Sequence, residues 1–174
     1  MISCPNAYDI FLKTVMDPVD RGSLESYIGF FLLGQLESIP PYIVLYGRPG
    51  SGKTTIINTL RRVLGEGKIS YSAEMAKFAH SSIAIIQDAD ANKIIRDTIM
   101  DKELRDIKFI IETNKLPSQD DPCVRVLCMT GNRIAKPIFD ELLLPGLWEM
   151  TIPYKYYCID KLYKHLEVKG ESNV

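Results

Sequence analysis

A glycine-rich segment with one lysine and two threonines contains the residue types of this sequence that point most directly to chemistry. It fills every fixed position of the pattern G-x-x-x-x-G-K-[ST]. Glycines allow a backbone to curl until successive N–H groups point inward, which makes a nest that binds anions. The segment therefore predicts a P-loop, a loop that binds phosphate groups. Its residues are Gly47, Arg48, Pro49, Gly50, Ser51, Gly52, Lys53, Thr54 and Thr55.

Lys53 and Thr54 have separate expected roles in such a loop. The lysine is expected to contact the β- and γ-phosphates of a nucleoside triphosphate, and the threonine hydroxyl to ligate Mg²⁺. A helix that begins near Lys53 adds the positive end of its dipole to the same place. The sequence therefore predicts that the chain binds ATP and Mg²⁺.

A carboxylate follows a later apolar run of the chain. Residues 83–86 are typical of a buried parallel strand, and Asp88 comes about 35 residues after Lys53. Ligands of open α/β sheets lie at the carboxyl ends of the strands. Asp88 is therefore predicted to hold Mg²⁺ through its water shell. Asp90 is a weaker candidate for polarising the attacking water, and both acids could instead simply end the strand in solvent.

An asparagine follows a third apolar run. Residues 124–129 predict another strand, and Thr130, Gly131 and Asn132 come directly after it. A polar residue at the end of such a strand can contact the γ-phosphate and the attacking water. Asn132 is therefore the third predicted site residue, and Asn114 is its rival for the same role.

These candidates need a sheet that brings the strand ends together. The fold class predicted is α/β, a P-loop NTPase with a mostly parallel central sheet flanked by helices. The predicted strands are 42–46, 68–71, 82–86, 107–111, 124–129 and 148–152. The predicted helices are 6–16, 23–38, 53–64, 73–79, 92–104, 134–143 and 156–166.

The predicted helix at 23–38 is apolar nearly all round and has Ser23 as its expected N-cap. Such a helix is either buried in the fold or lies at a subunit contact. The predicted organisation is an N-terminal helical segment (1–40), a P-loop ATPase domain (41–168) and a flexible tail (169–174).

Composition limits the classes of partner. With 174 residues and a net charge of −1, the chain reads as a single domain whose surface does not coat nucleic acid indiscriminately. This net charge does not exclude a local basic patch. The four cysteines lack the paired spacing of a metal site, which favours reduced thiols in an intracellular, cytoplasmic setting. No apolar run is long enough to cross a bilayer.

The order of P-loop, apolar strand with acid, and apolar strand ending in asparagine resembles superfamily 3 helicases, the AAA+-like replicative ATPases of small DNA viruses, phages and plasmids. The resemblance covers residues 42–132, roughly half of the chain. It implies an AAA+-like core, a hexamer-type ring of identical subunits, single-stranded DNA as partner, and a host-cell location if the protein is viral. The family usually has an acid directly after the second apolar run, whereas this chain has Gln87 before Asp88.

The resemblance also implies basic residues that act on DNA and on the neighbouring subunit. The family has a β-hairpin between the acidic strand and the asparagine, and a basic residue of this hairpin follows DNA. Lys115 is the first candidate for that residue and Lys108 the second. A solvated turn residue is the alternative for Lys115. Arg133, Arg125 and Arg105 are the candidates for an arginine finger.

The leading functional prediction is an ATP-hydrolysing motor of the replicative helicase type. A small nucleotide or metabolite kinase also uses this loop, although such enzymes usually need a cluster of arginines that this chain lacks. A non-helicase AAA+-like ATPase, such as a packaging or loading factor, shares the site and differs only in its partner. A binding module with an inactive loop is the remaining alternative.

Overall fold

A parallel sheet built on both sides of the strand before the glycine-rich loop forms the centre of the fold. The computed structural model describes residues 2–118 and 121–171. Their five strands lie in the order β2-β3-β4-β1-β5, and every neighbouring pair is parallel. The strands are β1 (Tyr42–Tyr46), β2 (Ile69–Ser70), β3 (Ile83–Ile86), β4 (Lys108–Thr113) and β5 (Val124–Cys128). The predicted α/β class with a central parallel sheet is confirmed.

Helices connect and cover these strands. The helices are α1 (Asn6–Val15), α2 (Pro18–Leu32), α3 (Lys53–Leu64), α4 (Ala73–Ala79), α5 (Ala91–Thr98), α6 (Lys136–Ile138), α7 (Leu144–Glu149) and α8 (Thr151–Glu171). A π-helical turn, Phe139–Leu143, joins α6 to α7. Short 3₁₀ turns lie at Leu36–Ser38, Glu66–Lys68 and Lys102–Leu104.

Strand β1 is apolar without alternation because both faces of the sheet are covered. Ile43 and Leu45 pack in the larger core cluster, with α1, α2, α3 and α8. Tyr42 and Val44 face the smaller cluster, with α4 and α5. The strand that leads into the loop is thus held from both sides, which fixes the position of the loop.

Helix α2 is buried rather than left free for a subunit contact. Leu24, Ile28 and Phe31 pack in the larger cluster, against α8. The helix begins at Pro18, because Asp17 is its N-cap and accepts hydrogen bonds from the N–H groups of Val19 and Asp20 at 2.9 and 3.0 Å. The predicted cap Ser23 and the predicted break before it were wrong.

The predicted strand 148–152 was also wrong. This segment is helical, since it spans the end of α7 and the beginning of α8. Leu147, Tyr154, Cys158 and Leu162 are buried at helical spacing, and this burial decides the structure of the segment. Helix α8 continues to Glu171, and the rest of the predicted tail lies outside the described residues.

Two boundaries near the sheet differ from the prediction. Helix α5 ends at Thr98, and the predicted helix beyond it is a turn followed by the 3₁₀ turn at Lys102–Leu104. Strand β4 runs two residues further than predicted and includes Glu112 and Thr113. Within residues 2–118 and 121–171, no helix is both long and apolar enough to cross a membrane.

Candidate functional site

The glycine-rich loop (residues 47–52) joins the carboxyl end of β1 to the first turn of α3. Gly50 and Gly52 have φ angles of +74° and +99°, which L side chains rarely adopt. A Cβ on Gly47 would lie 2.6 Å from Ser51 Oγ and 2.8 Å from Met129 Cβ. The glycines at these positions are therefore required by the backbone and by its close contact with the residue after β5.

Lys53 directs its ammonium group back into the loop. Its Nζ donates hydrogen bonds to the carbonyl oxygens of Gly47 and, at 2.9 Å, Arg48. The residue is only 6% exposed, and this burial lowers the pKa of Lys53, while the carboxylates of Glu112 and Asp88 act in the opposite direction. A buried cation thus lies between the loop and two acids.

Polar groups of the loop fit an anion. No side chain caps the N-terminus of α3, so its first N–H groups stay available together with the positive end of the helix dipole. Ser51 Oγ is buried and, among the residues described, has no hydrogen-bond partner. The cation of Lys53 adds a full positive charge. This donor set suits the phosphates of a nucleotide.

A cavity of about 570 Å³ opens beside the loop. Its lining combines polar groups of the loop, Thr54, Asp88 and Asn114 with the apolar side chains of Phe11, Val15, Ile134 and Phe139. This volume is in the range of small-molecule sites, and a lining of both polar and apolar groups suits a nucleotide. Helix α1 therefore contributes to one wall of the cavity.

The two acids predicted from sequence lie in different settings. Asp88 follows β3 with a φ of +49°, is exposed and lines the cavity. Asp90 caps α5, where its carboxylate accepts a hydrogen bond from the N–H of Lys93 at 3.3 Å. A structural role thus accounts for Asp90, and Asp88 is the better placed of the two.

Glu112 is a site residue that the sequence reasoning missed. Its Oε1 accepts a hydrogen bond from Thr54 Oγ1 at 3.3 Å, and its Oε2 accepts one from Gln87 Nε2 at 3.0 Å. Hydroxyl and carboxylate oxygens are the ligands that Mg²⁺ prefers, so the hydrogen-bonded pair of Thr54 and Glu112 offers donors that fit this ion, and Asp88 lines the same cavity. The signal in the sequence was an acid at the end of an apolar run.

Asn114 and Asn132 both line the cavity, on opposite sides of β1. Strand β4 lies between β1 and β3, and Tyr46 pairs with Thr113, so Asn114 follows at the level of the loop. Asn132 comes after β5, where its N–H donates to Thr130 Oγ1 at 3.1 Å. Asn114 thus lies between the loop and the strand of Asp88, whereas Asn132 approaches from the other edge.

The predicted DNA-contacting lysines differ in exposure. Lys115 is exposed in a turn directly after Asn114. The expected hairpin is not formed by the described residues, because β4 and β5 both pair in parallel with β1 and not with each other. Lys108 is only 9% exposed and donates to the carbonyl oxygen of Ile39 at 2.9 Å, at the opposite end of β4. Burial also lowers the pKa of Lys108.

The three candidate arginines lie in different parts of the chain. Arg133 donates to the carbonyl oxygen of Pro49 at 3.4 Å, within the subunit's own loop. Arg125 forms an ion pair with Asp20 at 3.0 Å. Arg105 is exposed before β4, at the amino end of the sheet. The structure thus brings only Arg133 to the cavity.

Comparison with known proteins identifies a distant fold relation. No family model matches the chain, and no curated protein does. A solved structure titled "The A form apo structure of NrS-1 C terminal region-CTR" is similar, with a TM-score of 0.69 and 14% identity over 93% of this chain and 48% of that chain. An apo structure of the NrS-1 C terminal region (305–718) is similar with a TM-score of 0.60 and 13% identity over 97% and 52%. The chain spans about half the length of these structures, and the likeness shows the fold alone.

Proposed function

We propose that this chain binds a nucleoside triphosphate, ATP, with Mg²⁺, and hydrolyses it. The observation that carries the proposal is the buried ammonium group of Lys53 inside a loop with left-handed glycines, at the carboxyl end of β1 in a parallel sheet. That place is where open α/β sheets bind ligands, and the uncapped start of α3 favours anions.

The residues around the cavity have distinct proposed tasks. The loop amides and Lys53 would hold the β- and γ-phosphates and stabilise the negative charge that develops on the leaving oxygen. Mg²⁺, when bound, would neutralise further phosphate charge. Asn114 is placed to orient the attacking water, because it lies beside the loop on the strand next to β1. The apolar side chains that line the cavity would hold the base.

The proposed biological role is a replicative motor that works as a ring on single-stranded DNA. The resemblance to superfamily 3 helicases supports it, and the similarity to the NrS-1 C terminal region supports the fold on which it depends. Lys115 is the proposed DNA contact, because it is exposed and follows Asn114 directly. A movement of Asn114 on hydrolysis of the nucleotide would therefore be transmitted to Lys115. An ammonium group there would contact backbone phosphates without reading bases.

Nucleotide binding and phosphate release test the first part of the proposal. The comparison is between the unaltered chain, Lys53→Ala and the control Lys102→Ala, which changes an exposed lysine far from the cavity. Only Lys53→Ala should lose both activities. A chain that neither binds nor hydrolyses ATP would overturn the proposal, and turnover only with an added phosphoryl acceptor would indicate a kinase.

Stimulation by single-stranded DNA tests the motor role. We expect phosphate release to rise with DNA, a hexamer-sized species to form, and Lys115→Ala to reduce the stimulation while Lys102→Ala does not. The effect should weaken as salt is raised, because counterion release drives phosphate contacts. A monomer that hydrolyses ATP indifferently to DNA would contradict the motor role and leave the hydrolase proposal standing.

A further inference from the structure

The carboxylate of Glu112 is held at both of its oxygens, by groups from two other elements. Thr54, in the first turn of α3, donates to Oε1 at 3.3 Å, and Gln87, after β3, donates to Oε2 at 3.0 Å. The carboxylate is also one of the two acids that oppose the lowering of the pKa of Lys53 by burial. Glu112 therefore connects the start of the loop helix to the strand of Asp88.

The sheet itself directs Glu112 towards α3. Side chains alternate along a strand, and Ile110 packs in the core cluster that contains the buried side chains of α3. Glu112, two residues further on, faces the same side, beyond the end of that core. Its partner in the register is Leu45 on β1, two residues before the loop begins. An acid at this position reaches the first turn of α3 without any change of backbone.

The same contacts explain why an amide suits position 87. A carboxylate at position 87 would face Glu112 at about the distance of the present hydrogen bond, and two negative charges that close repel each other. The amide instead donates to Glu112 and fixes its orientation. Glu112 lies on strand β4, which is adjacent to β1.

We propose that Glu112, oriented by Gln87, is the carboxylate that positions Thr54 and the water shell of Mg²⁺ in this chain. The Thr54 hydroxyl donates a hydrogen bond to Glu112, which leaves its oxygen lone pairs free for a cation. The carboxylate adds a negative charge next to that position, as groups behind metal ligands commonly do. Asp88 lies on an exposed turn, one strand further from β1, and is assigned no part in metal affinity. This inference rests on the proposed binding of nucleotide with Mg²⁺.

The experiment measures metal-dependent affinity rather than turnover. ADP binding is titrated calorimetrically in the full chain, with Mg²⁺ and with a chelator in its place, and bound Mn²⁺ is followed by electron paramagnetic resonance. The variants are Glu112→Gln, which keeps the shape of the side chain, Asp88→Asn and Gln87→Ala. The control is Glu103→Gln, an exposed glutamate that pairs with Lys77 at 3.3 Å. Circular dichroism checks that each variant is folded.

Glu112→Gln should remove about tenfold or more of the affinity gained with metal, while metal-free ADP binding stays unchanged. Gln87→Ala should lose part of that gain, and Asp88→Asn and Glu103→Gln should keep it. The inference is overturned if Glu112→Gln retains the full gain, or if Asp88→Asn loses it instead. A Glu112→Gln variant that loses turnover but binds metal normally also overturns it, because the role would then concern the attacking water.

Failure of the inference and failure of the proposed function give different results. If the unaltered chain binds no ADP with or without metal, the proposed function fails. If it binds ADP with a metal-dependent gain that Glu112→Gln keeps, only the assignment of Glu112 fails. Should Glu112→Gln not fold, Gln87→Ala decides the matter, since it leaves the carboxylate in place and removes only its support.

Discussion

The carbonyl oxygen of Val15 accepts a hydrogen bond from the backbone N–H of Thr130 at 2.8 Å, which joins the end of α1 to the residues after β5. A second bond runs from Thr130 Oγ1 to the carbonyl oxygen of Thr14, also at 2.8 Å. The N-terminal segment thus holds the chain that leads from β5 to Asn132. Since α1 also lines the cavity, the site depends on a contact between residues more than a hundred positions apart in sequence.

Thr130→Val should weaken nucleotide binding by roughly fivefold, or about 1 kcal/mol, because it loosens the edge of the cavity. The lost hydroxyl makes two hydrogen bonds, since it donates to the carbonyl oxygen of Thr14 and accepts from the N–H of Asn132. Thr14→Ala is the matched control, since it removes a hydroxyl that bonds only within α1 and keeps the carbonyl that Thr130 uses. Titration with a fluorescent nucleotide measures the effect, and equal affinities for both variants would contradict this role.

Gly47→Ala should abolish nucleotide binding while the chain stays folded. The added methyl group would lie under 3.0 Å from Ser51 Oγ and from the side chain of Met129, so the loop has to move away from the strand end. Gly67→Ala is the control, because nothing lies within 4 Å of a Cβ there and its backbone is not left-handed. Binding and thermal unfolding are measured on both variants. A Gly47→Ala chain that binds normally would mean that the loop adapts, and the steric argument would be wrong.

The loop and its strand could be predicted from sequence because every determinant is local. Residues 42–46 are continuously apolar, the glycines follow at fixed spacing, and the helix begins with the periodicity of Ile56, Ile57 and Leu60. The parallel sheet followed from alternating strands and helices. These features need no knowledge of distant partners.

The position of Glu112 could not be predicted, because it depends on where β4 ends and on which strand lies beside it. Sequence alone does not show that β4 lies between β1 and β3, so it does not show that the acid at the end of β4 contacts Thr54 and Gln87. Lys108 illustrates the same limit at the other end of β4, where a lysine that looks solvent-facing is satisfied by the carbonyl of Ile39. The strand prediction for 148–152 failed because the aromatic and branched residues of this segment suit a strand, whereas the burial of Leu147 and Tyr154 favours a helix.

Asn114→Ala should reduce kcat by about a hundredfold with little change in nucleotide affinity, as expected for a group that orients the attacking water. Its position between the loop and the strand of Asp88 is the reason. Asn132→Ala tests the original prediction from sequence, and we expect a change in kcat several times smaller. Steady-state phosphate release gives both values. A larger loss of kcat in Asn132→Ala would reverse the assignment and return the role to the residue after β5.

Glu25→Ala should lower the free energy of unfolding by about 3 kcal/mol, because it removes a buried carboxylate together with its charged hydrogen bonds between α2 and α8. Glu25 is 0% exposed and bonds to Lys161 at 2.6 Å and to Arg21 at 3.4 Å, which ties α2 to α8. Asp97→Ala is the control, since Asp97 and Lys93 form an exposed pair within α5 whose loss should cost less than about 1 kcal/mol. Urea unfolding curves compare the two variants. A Glu25→Ala chain as stable as Asp97→Ala would show that apolar packing alone stabilises the contact between α2 and α8, without this ion pair.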